Sequence, residues 1–343
     1  MRPFRCLASL LPVLSLMFAS AYSAPTLSQR LTGSGASFPF PIYSTWFKTY
    51  SRANPGVIID YQAKGSGAGI RDFINQTVDF AASDAAMTDE EMVSVAAGVQ
   101  LLPVTAGKIV LAYNLPGVPP LRLPRDVYPL LFTGGITRWD DDRLQAANPD
   151  ITLPDMPITI VRRADSSGTT FAFTRHLEAI SNAWAEAHGS GKTVVWPDSD
   201  KIVAAPKNDG VTATIKQTPG SLGYVEYGYA RFAKLPMAAL ENASGSFVAP
   251  SLAGGVAALA GTPLPPDMRV WITDPQGADA YPIITYTWLL LYREYADAEI
   301  AAALKAVVEY CLSEGQLVAD RLGYVPLPEP VVTAVRRALG NVR

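Results

Sequence analysis

Cysteine and histidine are almost missing from this chain of 343 residues, with two of each. Cys6 lies in an N-terminal segment that reads as removable, which leaves Cys311 alone and excludes an intrachain disulfide. The fold must then be held by its core, and the chain is long enough to build one. His176 and His188 both fall in or at the end of a stretch that reads as helical, as packing or surface residues rather than as a catalytic base. No G-x-S-x-G, H-E-x-x-H or G-x-x-x-x-G-K-[ST] pattern occurs, and no Cys/His cluster has zinc spacing, so the common hydrolase, metalloprotease and P-loop chemistries have no carrier. No apolar run reaches the length of a membrane span. The strongest, Ile283 to Tyr292 (IITYTWLLLY), is β-branched and aromatic and reads as a buried strand. Positive charge is not in excess either: the formal net charge is −3, which disfavours nucleic acid and a purely electrostatic hold on an anionic membrane.

What is present begins with the first residues, MRPFRCLASLLPVLSLMFASAYSAP. Arg2 and Arg5 form a basic start, Leu7 to Phe18 a short apolar core, and Ala19-Ser20-Ala21 an A-x-A cleavage pattern. This reads as a secretory signal peptide spanning 1–21, cut after Ala21 or Ser23. Cys6 precedes the apolar core, where a lipoprotein cysteine would follow it. Losing Arg2 and Arg5 takes the 28 basic residues to 26 against 31 acidic ones, a balance of −5. Hydrophobic content of 49% with 17% charged residues then describes a packed globular protein of one large or two medium domains.

The pattern along the chain alternates strands and helices. Ile42, Tyr43, Trp46, Phe47 and Tyr50 mark one face of a helix over 41–52, which Asn54-Pro55-Gly56 stops. Strands are expected at 57–61, 79–82, 109–113 and 158–161, and helices at 69–76, 168–187, 209–217 and 296–313. Thr88 with Glu91 forms a capping-box pattern. Proline clusters at 115–129, 149–157 and 263–266 mark loops. The alternation implies an α/β architecture with mainly parallel sheets.

Three Gly/Ser stretches each lie between a strand and a helix: TGSGASF (32–38), KGSGAG (64–69) and SSGTT (166–170). The first amides of a helix lack partners and its dipole favours negative charge there, so such loops suit an anion. Ser and Thr are also the preferred helix caps, and any one loop reads first as a capped helix. Three in one chain, one of them preceded by Arg162, Arg163 and Asp165, favour anion binding. Asp84, at the end of a predicted strand, is either a capping carboxylate or an acceptor for a protonated oxyanion. Phosphate near neutral pH keeps such a proton; sulfate does not.

With these motifs in order, TGSGASFPFPIYSTW, YQAKGSGAG, VDFAASDAAM, IVRRADSSGTTFAF, PGSLGYVEYGYA and YPIITYTWLLL, the chain resembles the phosphate-binding proteins of bacterial high-affinity phosphate ABC importers, from about Leu31 to the C-terminal helix. The resemblance implies a two-lobed periplasmic-binding-protein fold of class II, with 25–104 and 282–343 forming lobe I and 105–281 lobe II. It implies a monomeric periplasmic protein that captures inorganic phosphate between the lobes, hands it to a membrane ABC permease, uses no cofactor or metal, and is not an enzyme. Carried over residue by residue, Ser37, Phe38, Ser66, Asp84, Arg163, Ser167, Gly168 and Thr169 would hold phosphate. Asp84 would take the phosphate proton and Asp165 would orient Arg163, with Arg162 a neighbour. The stretch 198–206 replaces a glycine-rich loop of the family, and 240–270 matches little of it. Two rivals stand beside this reading: a binding protein for another tetrahedral oxyanion, and a secreted phosphate-ester hydrolase.

Overall fold

The structure is a computed structural model that describes residues 29–343. The segment that reads as a signal peptide lies outside the described residues.

The chain opens with β1 (Gln29–Gly35), α1 (Phe40–Ala53), β2 (Val57–Ala63), α2 (Ser66–Ile74), β3 (Phe80–Ser83) and α3 (Asp89–Val93). A long strand, β4 (Val99–Tyr113), is followed by β5 (Arg122–Leu123), α4 (Tyr128–Thr133), α5 (Asp142–Ala147) and β6 (Thr159–Arg163). Next come α6 (Gly168–Ile180), α7 (Asn182–Ala187), β7 (Ile202–Ala205), α8 (Lys207–Gln217), β8 (Ser221–Glu226) and α9 (Tyr227–Ala233). The last elements are β9 (Ala239–Glu241), β10 (Phe247–Val248), α10 (Leu252–Leu259), β11 (Ile284–Tyr292), α11 (Ala298–Leu312) and, after two 3-10 turns, α12 (Glu329–Leu339).

Eight strands form one curled sheet in the order β2-β1-β3-β11-β4-β8-β6-β7, and β10-β9-β5 form a small second sheet. The architecture is the expected α/β one, and parallel joins outnumber antiparallel ones in the large sheet, four to three, with the antiparallel ones gathered at its centre. β1 runs parallel to β2 and β3, and β6 runs parallel to β7 and β8. The joins of β11 to β3, of β11 to β4 and of β4 to β8 are all antiparallel. The cause is topological. The chain crosses from one half to the other along β4 and returns beside it on β11, so the two crossing strands run in opposite directions.

That crossing divides the molecule into two lobes. Val99 to Lys108 of β4 pair with β11, and Ile109 to Tyr113 pair with β8. At the changeover the returning chain stays alongside: the Ile109 amide donates to Ile283 O at 2.9 Å and the Tyr281 hydroxyl to Ile109 O at 3.2 Å. Every residue of β4 and β11 is buried, which explains why β11 reads as an apolar run rather than an alternating one; β4 extends the strand expected at 109–113 back to Val99, through Gln100, Pro103, Thr105 and Lys108.

Local signals mostly map onto elements. The five apolar residues of α1 are all buried, between the sheet and α11, where Tyr50 meets Tyr310, and burying such a side chain contributes on the order of 1.5–3 kcal/mol. The capping box is formed, with the Thr88 hydroxyl accepting from the Glu91 amide at 3.2 Å and the Glu91 carboxylate from the Thr88 amide at 3.0 Å. The helix expected over 168–187 is in fact two. Ser181 adopts extended backbone and its hydroxyl accepts from the Trp184 amide, capping α7 where α6 ends. The stretch 198–206 contains an edge strand, because Ile202–Ala205 pair with Ile160–Arg163. Within 240–270 lie β9, β10 and α10. Beyond them Trp288 Nε1 donates to Met268 O at 2.7 Å on the lobe I side, and Arg125 pairs with Asp274 on the other. The chain from 240 to 274 therefore contacts both lobes.

Candidate functional site

All three Gly/Ser stretches end at the same place, between the lobes. β1 and β2 deliver the first two from one side and β6 delivers the third from the other, each ahead of a helix. Ligands of open α/β sheets sit at such carboxyl ends of strands. Ser37, Phe38, Ser66, Asp84, Arg163, Ser167 and Thr169 are each at most 3% exposed, so the structure gathers the predicted residues in one buried seam.

On the lobe I side the first loop is pinned by its carbonyls. The Tyr229 hydroxyl donates to Ser37 O at 2.6 Å and the Tyr324 hydroxyl to Phe38 O at 2.7 Å. Ser66 is the first residue of α2. Its hydroxyl oxygen accepts from the Asp84 amide at 3.2 Å and, from across the seam, from the Gly168 amide at 3.1 Å. The approach is close. A Cβ on Gly168 would fall 2.5 Å from Ser66 Oγ and 2.7 Å from Asp84 Cβ, so only glycine lets the two walls meet there. Gly65, with φ of 98°, occupies backbone space that a side chain resists.

Asp84 follows β3 and is 2% exposed. Its Oδ1 accepts from the Thr287 hydroxyl at 2.9 Å, and its backbone oxygen accepts from Thr285 at 3.2 Å. Burial pushes its carboxyl up to about 7, against the pull of Thr287, Arg163 and Ser66 toward ionisation, while Asp165 adds to the rise. Near neutral pH this acid is therefore close to balance between an acceptor and a donor.

On the lobe II side Arg163 ends β6. Its Nε donates to Asp165 Oδ1 at 2.9 Å and an Nη to Asp165 Oδ2, a two-point fork that fixes the guanidinium plane. Another Nη donates to Thr169 Oγ1 at 3.2 Å, and the Arg163 amide donates to the Tyr224 hydroxyl at 3.1 Å. Burial alone would raise Asp165. The Arg163 fork and the Lys207 amide at 2.8 Å outweigh it and hold that carboxyl below its usual range. Ser167 caps α6 by accepting from the Thr170 amide at 3.1 Å. Arg162 points elsewhere, its guanidinium 6.0 Å from the Trp196 ring centre.

Two members of the seam were missed by sequence reasoning. Asn208, the second residue of α8, donates through Nδ2 to Ser37 Oγ at 3.1 Å and to Thr169 Oγ1 at 3.2 Å, while its Oδ1 accepts from the Glu226 amide at 3.0 Å. It thus joins both walls. The NDG tripeptide at 208–210 was its one signal, a polar group opening a helix after a strand. Thr287 sits inside a run that reads only as core. Outside the seam, Lys192 of lobe II pairs with Glu91 of α3, and Arg269 pairs with Asp89 of the same helix at 2.7 Å.

The arrangement can hold a small anion by one fixed positive charge, hydroxyls and helix-end amides, with one acid able to report on the anion's proton. Comparison with known proteins agrees with this chemistry. Residues 20–314 match the model of the PBP superfamily domain. The chain is 36% identical over 330 residues to the phosphate-binding protein PstS of Pasteurella multocida (strain Pm70), covering 94% of this chain and 93% of that one. It is 37% identical over 326 residues to the phosphate-binding protein PstS of Haemophilus influenzae (strain Rd), with 94% of each covered. Among solved structures it resembles a high-affinity periplasmic phosphate-binding protein bound with phosphate, at a TM-score of 0.73 and 22% identity over 90% of this chain and 93% of that one. A phosphate-binding protein from Stenotrophomonas maltophilia gives a TM-score of 0.70 at 20% identity, over 90% and 94% of the two chains. At these identities the solved structures speak for the fold.

Proposed function

The chain belongs to the PBP superfamily and, within it, to the phosphate-binding proteins, and from that premise we propose that it captures inorganic phosphate between its two lobes for delivery to a membrane ABC permease. The observation that carries the reading is the pairing of a clamped, buried Arg163 with a buried Asp84 across one seam of hydroxyls and amides. The arginine attracts any oxyanion, and the acid favours one that carries a proton. Ser37, Phe38, Ser66, Asp84, Arg163, Ser167, Gly168 and Thr169 are the proposed ligand contacts. Asn208 joins them, because its amide group already bonds the Ser37 and Thr169 hydroxyls.

The lobes are proposed as 25–104 with 282–343, and 105–281, closing about the crossing strands. The change of strand partner between Lys108 and Ile109 supports a hinge a few residues after the first boundary. Residence in the periplasm and action as a monomer complete the reading. The signal-like N-terminus supports the first of these. No chemistry on the ligand is proposed, since the similar curated proteins are named for binding phosphate. Equilibrium dialysis with labelled phosphate tests the binding, and release of product from a phosphomonoester tests the rest. Saturable uptake of one phosphate per chain without turnover is expected. Sustained turnover by pure protein, or no uptake, contradicts the proposal.

A further inference from the structure

The position of Asp84 is set by a strand whose residues were read as core. β11 runs antiparallel to β3 in the register that pairs Trp288 with Ser83. The next residues along the two chains, Thr287 and Asp84, therefore meet. Thr285 and Thr287 share one face of β11 by the two-residue period of a strand. The first donates to the Asp84 backbone oxygen and the second to its carboxylate Oδ1. The register of β11 against β4 shifts between Thr287 and Trp288, so the strand is irregular at the residue that reaches Asp84. Thr287 is fully buried and lies outside the set of residues expected to touch the ligand.

We propose that Thr287 is a positioning and specificity-determining residue for anion selection: its hydroxyl occupies Asp84 Oδ1, holds the carboxyl as an acceptor, and leaves Oδ2 to take the ligand's proton. The inference rests on the phosphate-binding reading and deepens it. A hydroxyl donates more strongly to an ionised carboxylate than to a neutral carboxyl, so it opposes the effect of burial on Asp84. Without it the carboxyl keeps its own proton to higher pH. A protonated Asp84 donates a hydrogen bond, and an anion without a proton, such as sulfate, is then no longer rejected.

The other groups facing Asp84 leave this role to Thr287. Arg163 and Asp165, from the end of β6, act with opposite sign. Glu226, at the start of α9, is itself pushed toward its neutral form by burial. Tyr43, Tyr61, Tyr229 and Tyr324 surround the acid from α1, β2, α9 and the turn before α12, and burial raises each phenol, so all four are neutral. Ser66 is the other hydroxyl directed at Asp84, but its oxygen also accepts two amides and closes with the seam.

The test is a calorimetric titration of phosphate and of sulfate over a pH series for wild type, Thr287→Val and Thr287→Ser. In the wild type, sulfate binding is expected to appear only as pH falls through about 7. In Thr287→Val that midpoint moves up by about one to two pH units, the size expected when a charged group loses one hydrogen bond. Thr287→Ser keeps the wild-type midpoint. The carbon-13 shift of the Asp84 carboxyl reads the same displacement without ligand, so it also serves if Thr287→Val binds anions weakly. A wild type that binds phosphate and rejects sulfate, beside a Thr287→Val variant with an unmoved midpoint, overturns this inference alone. So does a Thr287→Ser variant that shifts as far as valine, since packing would then be the cause. A wild type that takes up no phosphate overturns the underlying reading and this inference with it.

Discussion

The two walls of the seam carry opposite charges and hold them differently. In lobe II, Arg163 is locked by a two-point fork to Asp165, whose side chain keeps 19% of its exposure and takes a further amide from Lys207. Its charge is neutralised locally and its direction is fixed. In lobe I, Asp84 is held by hydroxyls from β11 and α2 in a fully buried surround, and burial raises its carboxyl to about 7. The difference separates two tasks. A permanent charge with a rigid fork attracts an oxyanion of any kind. A titratable acid with a tunable proton selects among oxyanions by their protonation.

The comparison breaks most severely on the attracting wall. Arg163→Ala should weaken phosphate binding by about a hundredfold or more, the usual cost of truncating one partner of a buried, hydrogen-bonded charge pair. Titration calorimetry reads it, and a loss below tenfold would place the attraction elsewhere. On the selecting wall, Asp84→Asn should leave the arginine fork intact and raise sulfate affinity by about tenfold at pH 8, one unit above the value of about 7 for Asp84, because an amide can donate where a carboxylate repels. A variant that excludes sulfate as the wild type does removes Asp84 as the filter. Asp165→Asn should weaken phosphate binding by roughly tenfold through a loosened guanidinium, a smaller effect since the cation itself remains.

The same contrast predicts opposite pH dependences of stability in the ligand-free protein. Asp84 is raised in the folded state, so its contribution is fully present below the ordinary carboxyl value and is lost as pH rises through about 7. Asp165 is lowered, so its contribution is present above the ordinary value and is lost as pH falls below it. Thermal melts of Asp84→Asn should flatten the first slope and leave the second. A slope between mildly acid and neutral pH that persists in Asp84→Asn would assign it to another buried acid, with Glu226 the first to check. The smallest effect is expected outside the seam. Lys192→Ala removes an ion pair between partly exposed groups, and should change phosphate affinity by less than about fivefold, with salt reducing even that.

How much of this was legible in the sequence follows the range of the forces involved. The α1 face, the Thr88 capping box and the Gly/Ser entries to α2 and α6 are local patterns, and they appear where the spacing put them. Asp84 and the VRRADSSGTTF stretch were readable as polar groups at strand ends, and the structure brings them together. The resemblance put the lobe boundary at 104/105, near the change of partner after Lys108, but the residue pattern alone marked only 109–113 as strand, because Gln100, Pro103, Thr105, Gly107 and Lys108 interrupt the apolar pattern before it. The break at Ser181 was hidden by an apolar pattern that continues through it, although serine is a natural cap. Asn208 and Thr287 act across the fold, and a hydrogen bond between residues some two hundred positions apart leaves no periodicity to read.

The most direct measurement is a phosphate titration in the presence of excess sulfate at about pH 8, above the value near 7 for Asp84, where its carboxyl is ionised. The division between an attracting wall and a selecting wall predicts one phosphate per chain with an affinity that sulfate leaves unchanged. Competition by sulfate in proportion to its concentration would contradict it.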